Sequence, residues 1–278
     1  MKFKSIAKIF LATVTVSLLA LGCGSDDSQS QSPVKKVGML TLLNADESTV
    51  DKIFISPAQK TTYYNNLTSM EMGLTSGQVD EVRTYQSVAN YIAGKISGVG
   101  VRNSQQGADI LDSFCLAVKE NNLELLGKIN AAIEAMQKDG TLEKLTQEYI
   151  TNLKPGEEPP SVDVEDVPSK QTIKVAVTGD LPPLDLIRAD GTPAGFNTAV
   201  MEEIGRRLDV NVEFVVIESG ARAAALSSGQ VDIIFWAIQP AKGSPLPQDA
   251  DKPAGIALSE AYYKDLPVDL YSTFSAMQ

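Results

Sequence analysis

The chain has 278 residues, 43% of them hydrophobic and 21% charged, with a formal net charge of −11. This is a globular composition with apolar material for one large core or two small ones. Its acidic balance excludes a nucleic-acid surface, which needs clustered Lys and Arg, and the lack of any histidine removes histidine-based triads, most zinc sites and the usual neutral-pH base.

Residues 1–22 combine a Lys-rich start, an apolar run from about Ile9 to Leu21, and Gly22 ahead of Cys23. About 13 apolar residues cover roughly 20 Å as a helix, short of a ~30 Å hydrocarbon core, so the layout is that of a secretory signal. Gly22-Cys23 resembles the lipobox of bacterial lipoproteins, although Leu19 stands one place earlier than the pattern's usual leucine. That resemblance implies cleavage before Cys23, lipidation of its sulfur and an extracytoplasmic location on the bacterial membrane; a plain signal followed by an incidental cysteine is the alternative. Residues 23–35 read as a flexible tether. Cys115, within "SFCLAV", then has no partner and reads as a buried small hydrophobe.

A first segment spans 36–151. "KKVGMLTLL" predicts a strand, and the stretch up to Tyr64 is ambiguous. "NLTSMEMGLTSG" predicts a helix ended by Gly77, "VDEVRTY" a strand and "QSVANYIAG" a helix. After a Gly-rich loop, "DSFCLAV" predicts a strand. "NLELLGKINAAIEAMQKDG" is amphipathic, with Leu125, Ile129, Ile133 and Met136 on one face and Gly140 as its stop. "TLEKLTQEYI" predicts a further helix with Thr141 as N-cap.

Residues 152–171 contain four prolines and five acids and read as an extended, self-repelling linker. The second segment, 172–278, opens on the strand "TIKVAVTGD". The helix "AGFNTAVMEEIGRRLDV" follows, with Val200, Ile204 and Leu208 on one face. Next come the strand "NVEFVVI", the short helix "ARAAALSSG" stopped by Gly229, and the apolar strand "VDIIFWAI". This β-α-β-α-β order is the grammar of an open parallel sheet. "LTSGQVDEV" at 74–82 returns as "LSSGQVDII" at 226–234. Each copy reads as a helix stop followed by a buried strand, which makes Asp80 and Asp232 strand-start residues rather than ligand contacts.

In order, "IKVAVTGDLPPLDLIRADGTPAGFNTAVMEEIGRRLDVNVEF", "ALSSGQVDII" and "LSEAYY" resemble the N-terminal part of the type II periplasmic substrate-binding proteins of ABC importers, in particular the amino-acid-binding branch. "KKVGM", "MGLTSGQVDEVRTYQSVANYI" and "CLAVKENNLELLGKINAAIEAMQKDGTLEKLTQEYI" resemble the C-terminal part of the same family. The resemblance implies an α/β, two-lobed fold with open, mostly parallel sheets and an interlobe cleft. The halves stand in reversed order, so a circular permutation joined through 152–171 is expected; two degenerate tandem domains are the alternative.

Open α/β lobes bind ligands at the carboxyl ends of their strands. The resemblance places Asp180, Trp236, Ala237 and Gln239 on one wall of the cleft and Asn44, Ser48 and Tyr85 on the other. Two of the family's anchors are absent: Ser244 stands where an Arg takes a ligand carboxylate, and Tyr85 where an Asp takes its ammonium. Arg222, at a helix start, is the substitute expected to hold an anion, with Lys242 nearby as a second candidate. Asp180 and Glu218 are possible acids, but no paired constellation is visible. The leading expectation is a monomeric, lipid-anchored, non-enzymatic receptor, without a cofactor or metal, that passes a small polar solute, with amino acids among the candidates, to an ABC permease. A sensory or structural lipoprotein that has lost binding is one alternative, and a dehydratase or cell-wall lyase on the same fold is another.

Overall fold

The computed structural model describes residues 34–44, 59–104, 111–242 and 247–273. Cys23, Ser48 and Ser244 lie outside the described residues. The first segment forms β1 (Lys35–Leu40), β2 (Gln59–Tyr64), α1 (Leu67–Thr75), β3 (Glu81–Tyr85), α2 (Gln86–Lys95), β4 (Val99–Asn103), β5 (Asp112–Lys119), α3 (Leu123–Lys138) and α4 (Thr141–Thr146). A π-helical turn over Gln147–Thr151 ends it. The second segment forms β6 (Thr172–Val177), β7 (Asp180–Leu181), β8 (Asp185–Ile187), β9 (Pro193–Ala194), α5 (Phe196–Leu208), β10 (Asn211–Val216), α6 (Arg222–Ser228), β11 (Ile233–Gln239), β12 (Ile256–Asp265) and β13 (Pro267–Ser272).

Two five-stranded sheets organise these elements, ordered β2-β1-β3-β13-β4 and β10-β6-β11-β5-β12. Each holds a parallel trio, β2-β1-β3 or β10-β6-β11. Beside each trio lies an antiparallel strand from the other segment: β13 against β3 and β5 against β11. The sheets are therefore mixed, because each accepts a strand that arrives from the opposite lobe. The interleaving extends to the helices. α3 buries Ile129, Ile133 and Met136, with Leu125 partly covered, and packs on β12 and α5 of the second segment. The described residues form one compact unit.

Several expectations are refined. α4 is capped by Gly140 in a left-handed turn (φ 79°), while Asp139 Oδ1 accepts the Thr141 N–H at 3.0 Å. The tight junction with α3 puts the cap one residue earlier than Thr141, where glycine tolerates the positive φ. β2 emerges from the ambiguous stretch and β4 from the Gly-rich loop, both as partners of strands distant in sequence. Residues 152–171 are extended but do not stand free. A Cβ on Gly94 of α2 would lie 2.1 Å from the Pro155 carbonyl carbon, so the absence of a side chain there is what lets the segment lie on the first lobe. It then reaches the second lobe, where Val162 N–H donates to Pro193 O (2.8 Å) and Asn211 Oδ1 accepts the Val167 N–H (2.9 Å).

The repeated phrase has one structural meaning in both lobes. Gly77 and Gly229 end their helices with φ of 73° and 80°, and Val79 and Val231 are buried. Asp80 accepts the Lys36 N–H (2.7 Å) while its own N–H donates to Lys36 O (2.8 Å). Asp232 does the same with Lys174, at 2.9 and 2.8 Å. Each aspartate thus fastens the start of the third strand of its trio to the first.

Candidate functional site

The carboxyl ends of β1, β3, β6 and β11 meet in a seam between the lobes that is closed by hydrogen bonds. Leu67 N–H, at the start of α1, donates to Asp180 Oδ2 (2.9 Å), and Ser219 N–H donates to Asn65 O (3.0 Å). Burial pushes the Asp180 carboxyl up; Asp185 adds to the rise, while the Leu67 amide opposes it. An apolar cluster continues across the seam from Leu40 and Leu67 to Phe114 and Trp236.

Arg222 sits at the centre, 1% exposed. Its Nε donates to Ser219 O (3.1 Å), Nη1 to Phe235 O (2.8 Å) and Trp236 O (3.2 Å), and Nη2 to Thr41 O of the other lobe (3.4 Å). A guanidinium so engaged is a rivet between lobes rather than an open anion hook, and seven-residue α6 offers little dipole of its own. Burial lowers the Arg222 pKa, while Asp251 and Asp185 hold it up.

Trp236 is buried under this charge, with the guanidinium carbon 5.1 Å from its ring centre. Its φ of 58° is strained for an aromatic residue and falls where the β11–β5 register shifts. Among the described residues its indole N–H has no acceptor. Tyr85 meets the Trp236 ring edge-on at 6.5 Å and donates its hydroxyl to Asp112 Oδ2 at 2.9 Å. β5 thus brings a carboxylate beside Tyr85. The crossover strands join here: Asp112 pairs with Asp265, and Asp265 Oδ2 accepts the Ser87 N–H (3.1 Å) at the start of α2.

Asp251 is the residue that the sequence reading missed. It lies in a turn between β11 and β12 and is 1% exposed. Oδ1 accepts the N–H groups of Leu43 (2.5 Å) and Asn44 (3.1 Å) from the first lobe, and Oδ2 accepts the Ile238 N–H (3.1 Å) from the second. Burial pushes its carboxyl up to about 6, with Arg222 and the three amides opposing the rise. In "PQDADKPAG" nothing distinguishes it from a solvated turn acid. Asp112, by contrast, stood as a charge at the mouth of a buried strand.

The remaining expected residues separate. Asn44 turns its side chain to Ala250 O, at 3.1 Å. Gln239 is exposed and lines a distinct pocket of approximately 340 Å³ with Gln248, Asp249 and Lys252. Lys242 and Glu218 are also exposed. The seam therefore gathers Asp180, Arg222, Trp236, Tyr85 and Asn44, but neither Gln239 nor Lys242. A second cavity of approximately 290 Å³ opens under residues 150–157, lined by Ser87, Asn90 and Tyr91 of α2, Pro183, Tyr263 and Asp265.

Residues 173–242 match the family model of bacterial extracellular solute-binding proteins, family 3, about a quarter of the chain. No curated protein matches the chain. Among solved structures it is similar to a ligand-binding component of an ABC-type import system from Staphylococcus aureus, with zinc bound (10% identity, 89% of this chain and 68% of that one, TM-score 0.45). It is also similar to the GluR0 ligand-binding core with L-glutamate (11% identity, 89% and 88%, TM-score 0.43). A third is a pheromone cOB1 precursor/lipoprotein of the YaeC family from Enterococcus faecalis (11% identity, 88% and 88%, TM-score 0.40). Overlaps this loose carry no ligand across to this chain.

Proposed function

We propose that the chain is an extracytoplasmic solute-binding protein of an ABC importer, anchored through a lipidated Cys23, that takes a small polar solute between its two lobes and presents it to a permease. The observation that carries this reading is the matched stretch 173–242, which supplies Asp180, Arg222 and Trp236 to the seam. Solute entry would part the lobes about the crossover strands near Asp112 and Asp265, and the bound solute would draw them together again, in the manner of hinge-closing receptors. The interleaved sheets support reading the two segments as one permuted domain rather than as a tandem pair.

A thermal-shift panel of amino acids, short peptides and small organic acids tests the proposal. At least one solute is expected to raise Tm with a saturating concentration dependence; no rise with any of them overturns it. One observation favours a second reading, a sensory or structural lipoprotein: Arg222 and Asp251 spend their polar atoms on the protein's own backbone. A flat panel would leave that reading in possession.

A further inference from the structure

The donors around Asp251 are all backbone groups. They would be present whatever residue stood at 251. Leu43 and Asn44 supply successive N–H groups from the bend that follows β1, and Ile238 adds a third from β11, two residues beyond the strained Trp236. Successive amides aimed at one point form an anion-binding nest, and Arg222 adds fixed positive charge from the second lobe. The carboxylate that fills this nest arrives on a lever. Gln248, Asp249 and Lys252 are exposed, and the turn is closed locally by Ala250 N–H to Pro247 O and Lys252 N–H to Asp249 O, each 3.0 Å. Residues 247–252 belong to no strand, so the turn can lift without undoing a sheet.

We propose that Asp251 is an internal ligand: its carboxylate occupies a carboxylate-binding subsite formed across the seam by the amides of Leu43, Asn44 and Ile238, and a solute carboxylate takes the site by displacing it. The proposal rests on the solute-binding reading and adds to it the chemical class of the solute and the means by which the seam stays shut without one. Two bonds run to the first lobe and one to the second, so withdrawal of Asp251 removes part of the interlobe stitching, and a bound carboxylate restores it.

The test uses the full mature chain with Asp251→Ala, and formate and acetate as probes against chloride and sulfate at equal ionic strength. Formate and acetate are expected to raise Tm of the variant by about 3–5 °C once well above their dissociation constants and to leave the wild type unmoved. A rise no larger than that given by chloride overturns the proposal, and so does an equal rise in both proteins, which would place the anion elsewhere. Should the alanine variant not fold, hydrogen exchange in Asp251→Asn decides. Protection at Leu43, Asn44 and Ile238 is expected to fall at least tenfold, and unchanged protection overturns the proposal. Rescue by formate does not depend on finding the natural solute, so a flat solute panel with positive rescue would defeat the transport reading and leave the subsite standing.

Discussion

Asp251 makes the energetic character of the seam measurable at the scale of one residue. Its folded pKa of about 6 lies above the ordinary value near 4 for an unfolded Asp. The folded protein therefore binds the extra proton between those values, and the contribution of this group to stability falls as pH rises through that window. A shift of about two units is worth on the order of 3 kcal/mol. The charged and titratable groups nearby, Arg222 on α6 and Tyr85 on β3, remain in an Asp251→Asn variant. Urea unfolding at pH 4.5 and 7.5, which spans most of that window, is thus expected to show the wild type losing about 2 kcal/mol more stability than the variant; parallel losses would mean that Asp251 does not titrate there. Cys115 needs no such test of role, since burial to 1% exposure pushes its thiol up to about 12 and keeps it unreactive.

The twin phrases yield a prediction at the scale of elements. Asp80 and Asp232 each give one charge-assisted bond to the first strand of their trio, and both side chains are exposed. Asp80→Ala and Asp232→Ala are each expected to cost about 1 kcal/mol, a fall of about 2–4 °C in Tm. Lying in different sheets with no shared partner, the two are expected to add in the double variant. Most elements were legible because their signals are local: the periodicity of α3, the glycine stops and the apolar run of β11. β2 and β4 were not, because their sequences carry weak strand signals and long-range pairing decides them. The strap at 152–171 is extended, as its composition implies, but the surfaces it lies on, Gly94 and the β9 edge, come from distant parts of the chain and carry no local signal.

At the scale of the whole molecule, the proposed reversal of the halves is compatible with one domain because the ends of the described chain lie together. Val37 of β1 pairs with Glu81 of β3, and Glu81 pairs with Tyr271 of β13, which puts β1 and β13 two strand spacings, roughly 10 Å, apart. A rearranged chain that starts at Thr172, runs through Gln278 and a short Gly/Ser bridge into Pro33, and ends at Asn152 is therefore expected to fold. Its far-UV circular dichroism should match the parent, with a lower Tm from loss of the strap. A rearranged chain that stays unfolded would count against the permutation.

The sequence by itself determined most of the elements, the equivalence of the two helix-stop-and-strand phrases and the stretch from which the seam draws Asp180, Arg222 and Trp236, because periodicity, glycine stops and ordered phrases are carried by neighbouring residues. Only the tertiary structure decided what those side chains do. A buried guanidinium must satisfy its N–H groups with whatever carbonyls surround it, and a buried carboxylate must find amides. Arg222 found Phe235 and Thr41, and Asp251 found Leu43, Asn44 and Ile238, partners that lie close to one another only once both lobes are in place.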